Sequence, residues 1–322
     1  MATIVTGGAG FIGSTLVDRL LADGRDVVAV DNFDPYYAPA RKRAHLSSAL
    51  KSPRFRLIEL DIRDGDGVAT LVRDVQPDAI AHLAARAGVR PSIADPAGYA
   101  EVNVVGTIHW LEAARRLANP PRFVYASSSS VYGDRVNGPF RESDPVDHPV
   151  SPYAATKKAC ELLAATYHHL YALPITGLRL FTAFGPRNRP DLAIAKFADL
   201  ITRGQPIPMF GDGSSQRDYT FVGDIVDGIT RALDRANGLH LYNLGHESPV
   251  ALLGMIEALG RTLGRTPEIQ VLPPQPGDVG QTHADITLAR RELGYNPRTS
   301  LAEGLNQYVA WLRATGSGNF GS

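Results

Sequence analysis

Cysteine is almost absent from this chain. One thiol, Cys160, stands among 322 residues, which excludes an internal disulfide and suits a reducing compartment. Tryptophan occurs twice and methionine three times, and no CxxC or HExxH spacing offers a zinc site. An excess of either charge is missing too, because Lys plus Arg and Asp plus Glu each total 33. A chain with no net field has nothing with which to gather nucleic acid or an anionic membrane face, so anion selectivity must be local. No uncharged stretch is long enough for a bilayer, and the first residues lack the basic, apolar and small-residue zones of a leader. Neither a nucleic-acid nor a membrane partner is expected, and cytoplasmic residence is. Gly316 to Ser322 reads as a frayed tail.

What is present is an α/β pattern. Thr3 to Thr6, Val27 to Val30, Phe55 to Leu60, Ala79 to Leu83, Phe123 to Ala126 and Ile175 to Leu180 are nearly continuous apolar runs, mostly separated by segments of helical spacing. Strands of that kind imply a parallel sheet covered on both faces, a Rossmann-like doubly wound fold. Proline and glycine become frequent from Gly185 through Gly213. Residues 1–180 are therefore predicted to form the sheet domain. Residues 181–322, with a short strand at Leu239 to Asn243 and helices at Val250 to Leu263 and Leu301 to Arg313, are predicted to form a smaller mixed α/β substrate lobe, some segments of which return to the first domain. Cys160, Trp110 and Trp311 are expected in packed positions, and His82 is expected to pack or hydrogen-bond near a cofactor rather than to catalyse.

Gly7, Gly10 and Gly13 lie three apart between the first strand and the helix that begins at Phe11 and Ile12. That context lets backbone N–H groups approach a pyrophosphate at a helix N-terminus. Asp31 ends the second strand eighteen residues after Gly13, where a carboxylate meets ribose hydroxyls and repels a 2′-phosphate. Asn32 and Phe33 follow in place of arginine, so NAD is favoured over NADP. Asp61 and Ile62, after the third strand, are expected to flank adenine.

Ser151 and Pro152 are a helix start, and Tyr153 and Lys157 then share one face. A free phenol titrates near about 10, so a phenol working as a base near neutrality needs about 4 kcal/mol of electrostatic help. An ammonium neighbour and a positive nicotinamide are suited to supply it. A serine run, Ser127 to Ser130, ends the fifth strand, at the sheet edge where ligands bind.

TGGAGFIG, the serine run before VYG and YxxxK together resemble the extended short-chain dehydrogenases/reductases. GPRNRPDLAIAKF (185–197), QPGDV (275–279) and HLAA–AGVR (82–90) are similar to UDP-glucuronate 4-epimerases, and the resemblance spans nearly the whole chain. It implies an NAD-dependent isomerase that interconverts UDP-glucuronate and UDP-galacturonate through a transient 4-keto sugar, with Tyr153 as base and bound NAD as hydride shuttle. Ser128 then matches the serine that holds the reacting oxygen, with Ser127 and Ser129 as alternatives. Leu83, Ala84, Ala85 and Asn103 fall to the cofactor. Arg90, Met209, Arg217 and Asp278 fall to the UDP-sugar, and Thr182 and Arg189, with Arg187 in reserve, to the sugar carboxylate. A homodimer through helices near residues 98–117 and 152–171 is implied as well. Ser129 and Ser130 stand where sugar 4,6-dehydratases place Asp-Glu, and Arg86, Ala183 and Phe184 depart from the usual Gln, Val and Tyr. UDP-glucose 4-epimerase, UDP-glucuronate decarboxylase and a silent NAD-binding regulator are the competing readings.

Overall fold

Each apolar run of the first half becomes a strand, and each helical stretch between them covers it. The computed structural model describes residues 2–135, 138–235, 237–273 and 279–316. In chain order the first half contains β1 (Ala2–Thr6), α1 (Phe11–Ala22), β2 (Asp26–Asp31), α2 (Pro39–His45), β3 (Phe55–Glu59), α3 (Gly65–Val75), β4 (Ala79–His82), α4 (Val89–Ala94), α5 (Pro96–Ala100), α6 (Gly106–Arg115), β5 (Arg122–Ser128), α7 (Pro152–Tyr171) and β6 (Ile175–Leu180). A π-helical turn, Glu101–Val105, leads into α6, and a 3-10 turn, Ser129–Tyr132, follows β5.

Alternation along the strands feeds two cores. Ile4, Ile80 and Phe123 pack beneath α3, α6 and α7 with Val72, Trp110 and Cys160, whereas Val5, Ala81 and Val124 pack on the other face with Leu16 and Leu20 of α1. Both faces are thus buried, which is why these strands read as apolar runs rather than as alternating ones. Burying a leucine or isoleucine side chain fully is worth about 2 kcal/mol, so the two layers hold the sheet firmly.

The second half contains β7 (Thr182–Phe184), α8 (Ala193–Arg203), β8 (Ile207–Phe210), β9 (Gln216–Phe221), α9 (Val222–Arg235), β10 (Leu239–Leu244), β11 (Pro249–Ala251), α10 (Leu252–Leu263), β12 (Ile269–Leu272), α11 (Thr287–Leu293) and α12 (Leu301–Thr315). Small sheets, β11-β9-β7 and β12-β8, carry the lobe, whose own core joins α8, α10 and α12 through Ile201, Met255, Leu259 and Tyr308. No helix among the described residues is long and apolar enough to cross a membrane.

Two segments beyond residue 180 belong to the sheet domain. β10, which the sequence assigns to the lobe, pairs in parallel with β6 from Leu239↔Ile175 to Leu244↔Leu180 and completes a seven-stranded sheet, β10-β6-β5-β4-β1-β2-β3. Ile225, Ile229 and Leu233 of α9 join the same core as α1. Chain order put these segments with the lobe, but an apolar run buries its surface on whichever edge is open, and the open edge was β6.

The sheet order places the functional edge. The chain winds from β1 through β3 to one side and then returns to β4 beside β1. At that reversal the carboxyl ends of β1 and β4 diverge, and a crevice opens between the loops that follow them.

Candidate active site

A cleft of about 600 Å³ runs along this crevice, lined by the glycine loop, the ends of β2, β4 and β5, the start of α7 and the segment after β6. Gly7 adopts φ +66°, and a Cβ there would lie 2.9 Å from the backbone nitrogen of Ala84. A Cβ at Gly13 would run into the Gly7 carbonyl. Only glycine permits this packing of loop against strand end. Gly10 is the N-cap of α1 and offers no side chain, so the first-turn N–H groups of Phe11, Ile12 and Gly13 remain for an anion.

Asp31 is fixed at the far wall of the same crevice. Its Oδ2 accepts the Ala9 N–H at 3.1 Å and its Oδ1 the Phe33 N–H at 2.9 Å. Lys42 of α2 brings its ammonium to 3.7 Å from Oδ1. Asn32 donates to Asp61 at 2.9 Å, and the Arg63 side chain, bonded to the same carboxylate, lowers the Asp61 pKa to about 2. Ile62 lines the cleft beside Asp61.

Leu83 and Ala84 are held by Thr6, whose hydroxyl oxygen accepts both backbone N–H groups at 3.1 and 3.0 Å. Its single proton then points to His82 Nδ1, 2.9 Å away, and Nε2–H is left to donate to Thr107 at 3.1 Å. Thr107 in turn donates to the Asn103 carbonyl at 2.5 Å. Burial, with the Lys157 charge as a second cause, drops the His82 pKa to about 3, so the imidazole is a neutral strut. Asn103 does not line the cleft; it is buried and braces the wall by bonding the backbone N–H and carbonyl of Arg86 at 2.8 and 3.0 Å. Ala85 continues that wall.

Ser151 caps α7 by accepting the Ala154 N–H at 3.1 Å, with Pro152 behind it, which sets Tyr153 in the first turn and Lys157 one turn on. Tyr153 faces Tyr99 edge-on, with ring centroids 6.3 Å apart, and lines the cleft. Lys157 is buried and donates to the Ala126 carbonyl at 2.8 Å, tying the helix to the end of β5. Ser127, Ser128 and Ser129 all line the cleft. Ser127 donates to Glu161 at 2.7 Å, and Ser128 donates to the Ser130 hydroxyl at 3.1 Å and accepts its N–H at 3.2 Å.

Thr182, Ala183 and Arg189 complete the lining. Arg189 donates through Nε and Nη2 to the two oxygens of Asp191 at 3.0 and 2.7 Å and lies over the Tyr36 ring at 5.5 Å. Arg187 lies outside the cleft lining, its Nη2 paired with Asp18 of α1 at 2.6 Å. Arg90 of α4 stacks 5.3 Å from the Phe210 ring on β8. Met209 is buried in the lobe core, Arg217 is on β9, and Asp278 lies outside the described residues. Of the departures from the family pattern, Arg86 pairs with Asp95, and Phe184 is buried against Tyr219 and Phe221. Lys42, Glu161 and Asp191 were not singled out by the sequence. A lysine eleven positions past Asp31 and a glutamate four past Lys157 give no signal until the fold brings them in.

Comparison with known proteins agrees with this geometry. UDP-glucuronate 4-epimerase 4 of Arabidopsis thaliana is 40% identical over 336 residues, covering 99% of this chain and 77% of its own. The crystal structure of UDP-glucuronic acid 4-epimerase from Bacillus cereus, in complex with UDP-glucuronic acid and NAD, superposes with TM-score 0.91 at 34% identity, covering 98% of this chain and all of that one. UDP-glucose 4-epimerase of Thermotoga maritima, with UDP-glucose, superposes with TM-score 0.90 at 31% identity, covering 98% and 99%. The family model described as GDP-mannose 4,6 dehydratase matches residues 4–308. A match of that length, joined to identities above 30% over nearly whole chains, settles the relationship: the chain belongs to the GDP-mannose 4,6 dehydratase family, within the extended short-chain dehydrogenases/reductases.

Proposed function

We propose that the chain is a UDP-glucuronate 4-epimerase that retains NAD and interconverts UDP-glucuronate and UDP-galacturonate. One observation carries the reading: Tyr153, Lys157, the serine strand end and Arg189 line a single cleft with the glycine loop. The cradle fits a dinucleotide, because a Cβ at Gly7 would fill the space against Ala84 and α1 starts with an uncapped turn. When bound, NAD takes hydride from the sugar's C4 and returns it to the opposite face.

The side chains do the rest. Tyr153 accepts the proton of the C4 hydroxyl, and Lys157, anchored on Ala126, stands one turn along the same helix face. Ser127 donates its one hydroxyl hydrogen bond to Glu161, so toward the sugar its oxygen accepts hydrogen bonds, while Ser128 and Ser129 adjoin it. Arg189 and Thr182 are suited to hold the carboxylate. A C4 ketone makes the sugar a β-keto acid, which loses carbon dioxide when the carboxylate bond stands perpendicular to the carbonyl plane. Holding the carboxylate out of that alignment keeps the reaction an epimerisation. A homodimer is part of the proposal, supported by exposed Val105, Leu162, Leu170 and Tyr171 on the π turn and α7. Cytoplasmic residence fits the single buried thiol.

Incubation with UDP-glucuronate, without added NAD, should yield UDP-galacturonate resolved by chromatography. No product from any UDP-hexuronic acid would end the proposal. One observation favours a second reading: Asp191 already occupies Arg189 through two hydrogen bonds, as suits a neutral sugar. Turnover of UDP-glucose in preference to UDP-glucuronate would decide for that alternative.

A further inference from the structure

Tyr36 and Arg189 come to the cleft from different loops and are joined through Asp191. Tyr36 stands between β2 and α2, whereas Arg189 and Asp191 stand between β7 and α8. The Tyr36 hydroxyl donates to Asp191 Oδ2 at 3.2 Å, and the Arg189 guanidinium, bonded to both oxygens of Asp191, lies 5.5 Å from the centre of the Tyr36 ring. Burial first, and the Asp191 charge second, push the Tyr36 phenol upward, so it stays a donor.

Both loops are pinned by their own backbones. The Tyr36 N–H donates to Asp34 Oδ1 at 2.9 Å, and the Leu192 N–H closes a turn on the Arg189 carbonyl at 3.2 Å. A guanidinium is a planar fork with more than one edge. Asp191 takes the side edge, Nε with Nη2, and Nη1 makes no hydrogen bond among the described residues. Arg189 and Tyr36 line the cleft, but Asp191 does not. The aspartate therefore backs the arginine, and the outer edge of the fork is left for a ligand. A side chain already held on one edge has little rotamer freedom to lose when a second carboxylate docks on the other.

We infer that Asp191, tied down by Tyr36, is a positioning residue that turns the outer edge of Arg189 toward the C5 substituent of the sugar, and so decides whether a carboxylate there survives turnover. The inference rests on the reading of the chain as a UDP-glucuronate 4-epimerase. With Arg189 free to swing, the carboxylate of the transient 4-keto sugar can rotate perpendicular to the carbonyl plane. The bond from C5 to the carboxylate then breaks, carbon dioxide leaves, and the bonding pair passes to C5 as the enolate of the C4 ketone. Protonation at C5 gives a UDP-linked 4-ketopentose.

The test compares full-length parent, Asp191→Asn and Tyr36→Phe. Products from UDP-glucuronate are separated by chromatography and identified by mass, and affinities for UDP-glucuronate and for UDP are measured by calorimetry. Asp191→Asn keeps the shape but sets an N–H group against one of the arginine's donors. It should weaken UDP-glucuronate by about tenfold and release UDP-pentose or its 4-ketone beside UDP-galacturonate, with UDP affinity held within about twofold. Tyr36→Phe should move the same way by less, and it carries the test should the asparagine variant fold poorly. Tighter UDP-glucuronate with the epimer as sole product would show that Asp191 competes with the sugar carboxylate, and equal losses for UDP and UDP-glucuronate would show a purely structural role. Either result overturns the inference while epimerisation by the parent keeps the underlying reading intact. A parent that leaves UDP-glucuronate unaltered at C4 would overturn both.

Discussion

Ser127 donates a hydrogen bond to Glu161 at 2.7 Å, and Arg179 donates to both oxygens of that carboxylate at 2.8 Å. The arrangement joins β5, α7 and β6 beneath the cleft, with the Arg179 guanidinium also 4.7 Å from the Tyr132 ring. Glu161 shares its helix face with Lys157 and Tyr153, so one helix supplies both the proposed catalytic pair and the group that orients a serine opposite.

That buried ion pair sets a stability expectation. Glu161→Ala would leave the Arg179 charge, 2% exposed, without its counter-ion and should cost about 3–5 kcal/mol. Urea unfolding would measure the loss. Replacing both partners, as Glu161→Leu with Arg179→Met, should recover much of it, since the cost lies in the orphaned charge. A single variant as stable as the parent would show that the pair contributes nothing.

The proton transfer has a sharper signature. Tyr153→Phe keeps the ring, its edge contact with Tyr99 and the helix cap, but removes the atom proposed to take the proton. The turnover number should fall by about 10² to 10⁴, with KM for the UDP-sugar little changed. Steady-state assays with product separation would show it, and a loss expressed mainly in KM would assign Tyr153 to binding.

Much of this was legible in the sequence, and the remainder was hidden for identifiable reasons. β6 is read from the sequence with its observed ends, and β1, β2 and β5 to within a few residues, because strands buried on both faces are apolar throughout. That Tyr153 and Lys157 share one face of α7 was visible because their spacing lies within a single element. β10 was visible as a strand but not as a neighbour of β6, since an apolar run does not name its partner. Lys42 beside Asp31 and Arg179 beneath Ser127 are pairings between elements, and local periodicity has no term for them. Arg187 and Arg189 look alike in GPRNRPD, but only Arg189 lines the cleft, because Arg187 turns at φ +67° and pairs with Asp18 of α1.

Gly13 offers a test of the cradle. A methyl group there would meet the Gly7 carbonyl, which belongs to the loop's own backbone and cannot move without shifting Ala84. Gly13→Ala should therefore cost at least about 10-fold in dinucleotide affinity, with the fold retained. Nucleotide content after purification and circular dichroism would read the two separately. A full complement of bound NAD in this variant would show that the loop is less tightly packed than its geometry implies.

His82 makes acid stability predictable. Burial lowers its folded pKa to about 3 from the ordinary 6.5, and Thr6 and Thr107 use its two nitrogens as acceptor and donor. Above pH 6.5 the ring is neutral in folded and unfolded chains alike, so no penalty arises. Between 6.5 and about 3 the unfolded chain binds a proton that the folded chain refuses, and stability falls as pH falls, by about 1.4 kcal/mol per unit. From pH 6.5 to pH 5 that amounts to about 2 kcal/mol from this residue. His45, brought down to about 4 chiefly by burial, acts in the same direction. His82→Gln preserves a donor and an acceptor without a titrating group, so its urea-derived stability should decline less steeply over this range, by about one bound proton. Parallel slopes for parent and variant would mean that the acid sensitivity originates elsewhere and that the imidazole tolerates its proton in place.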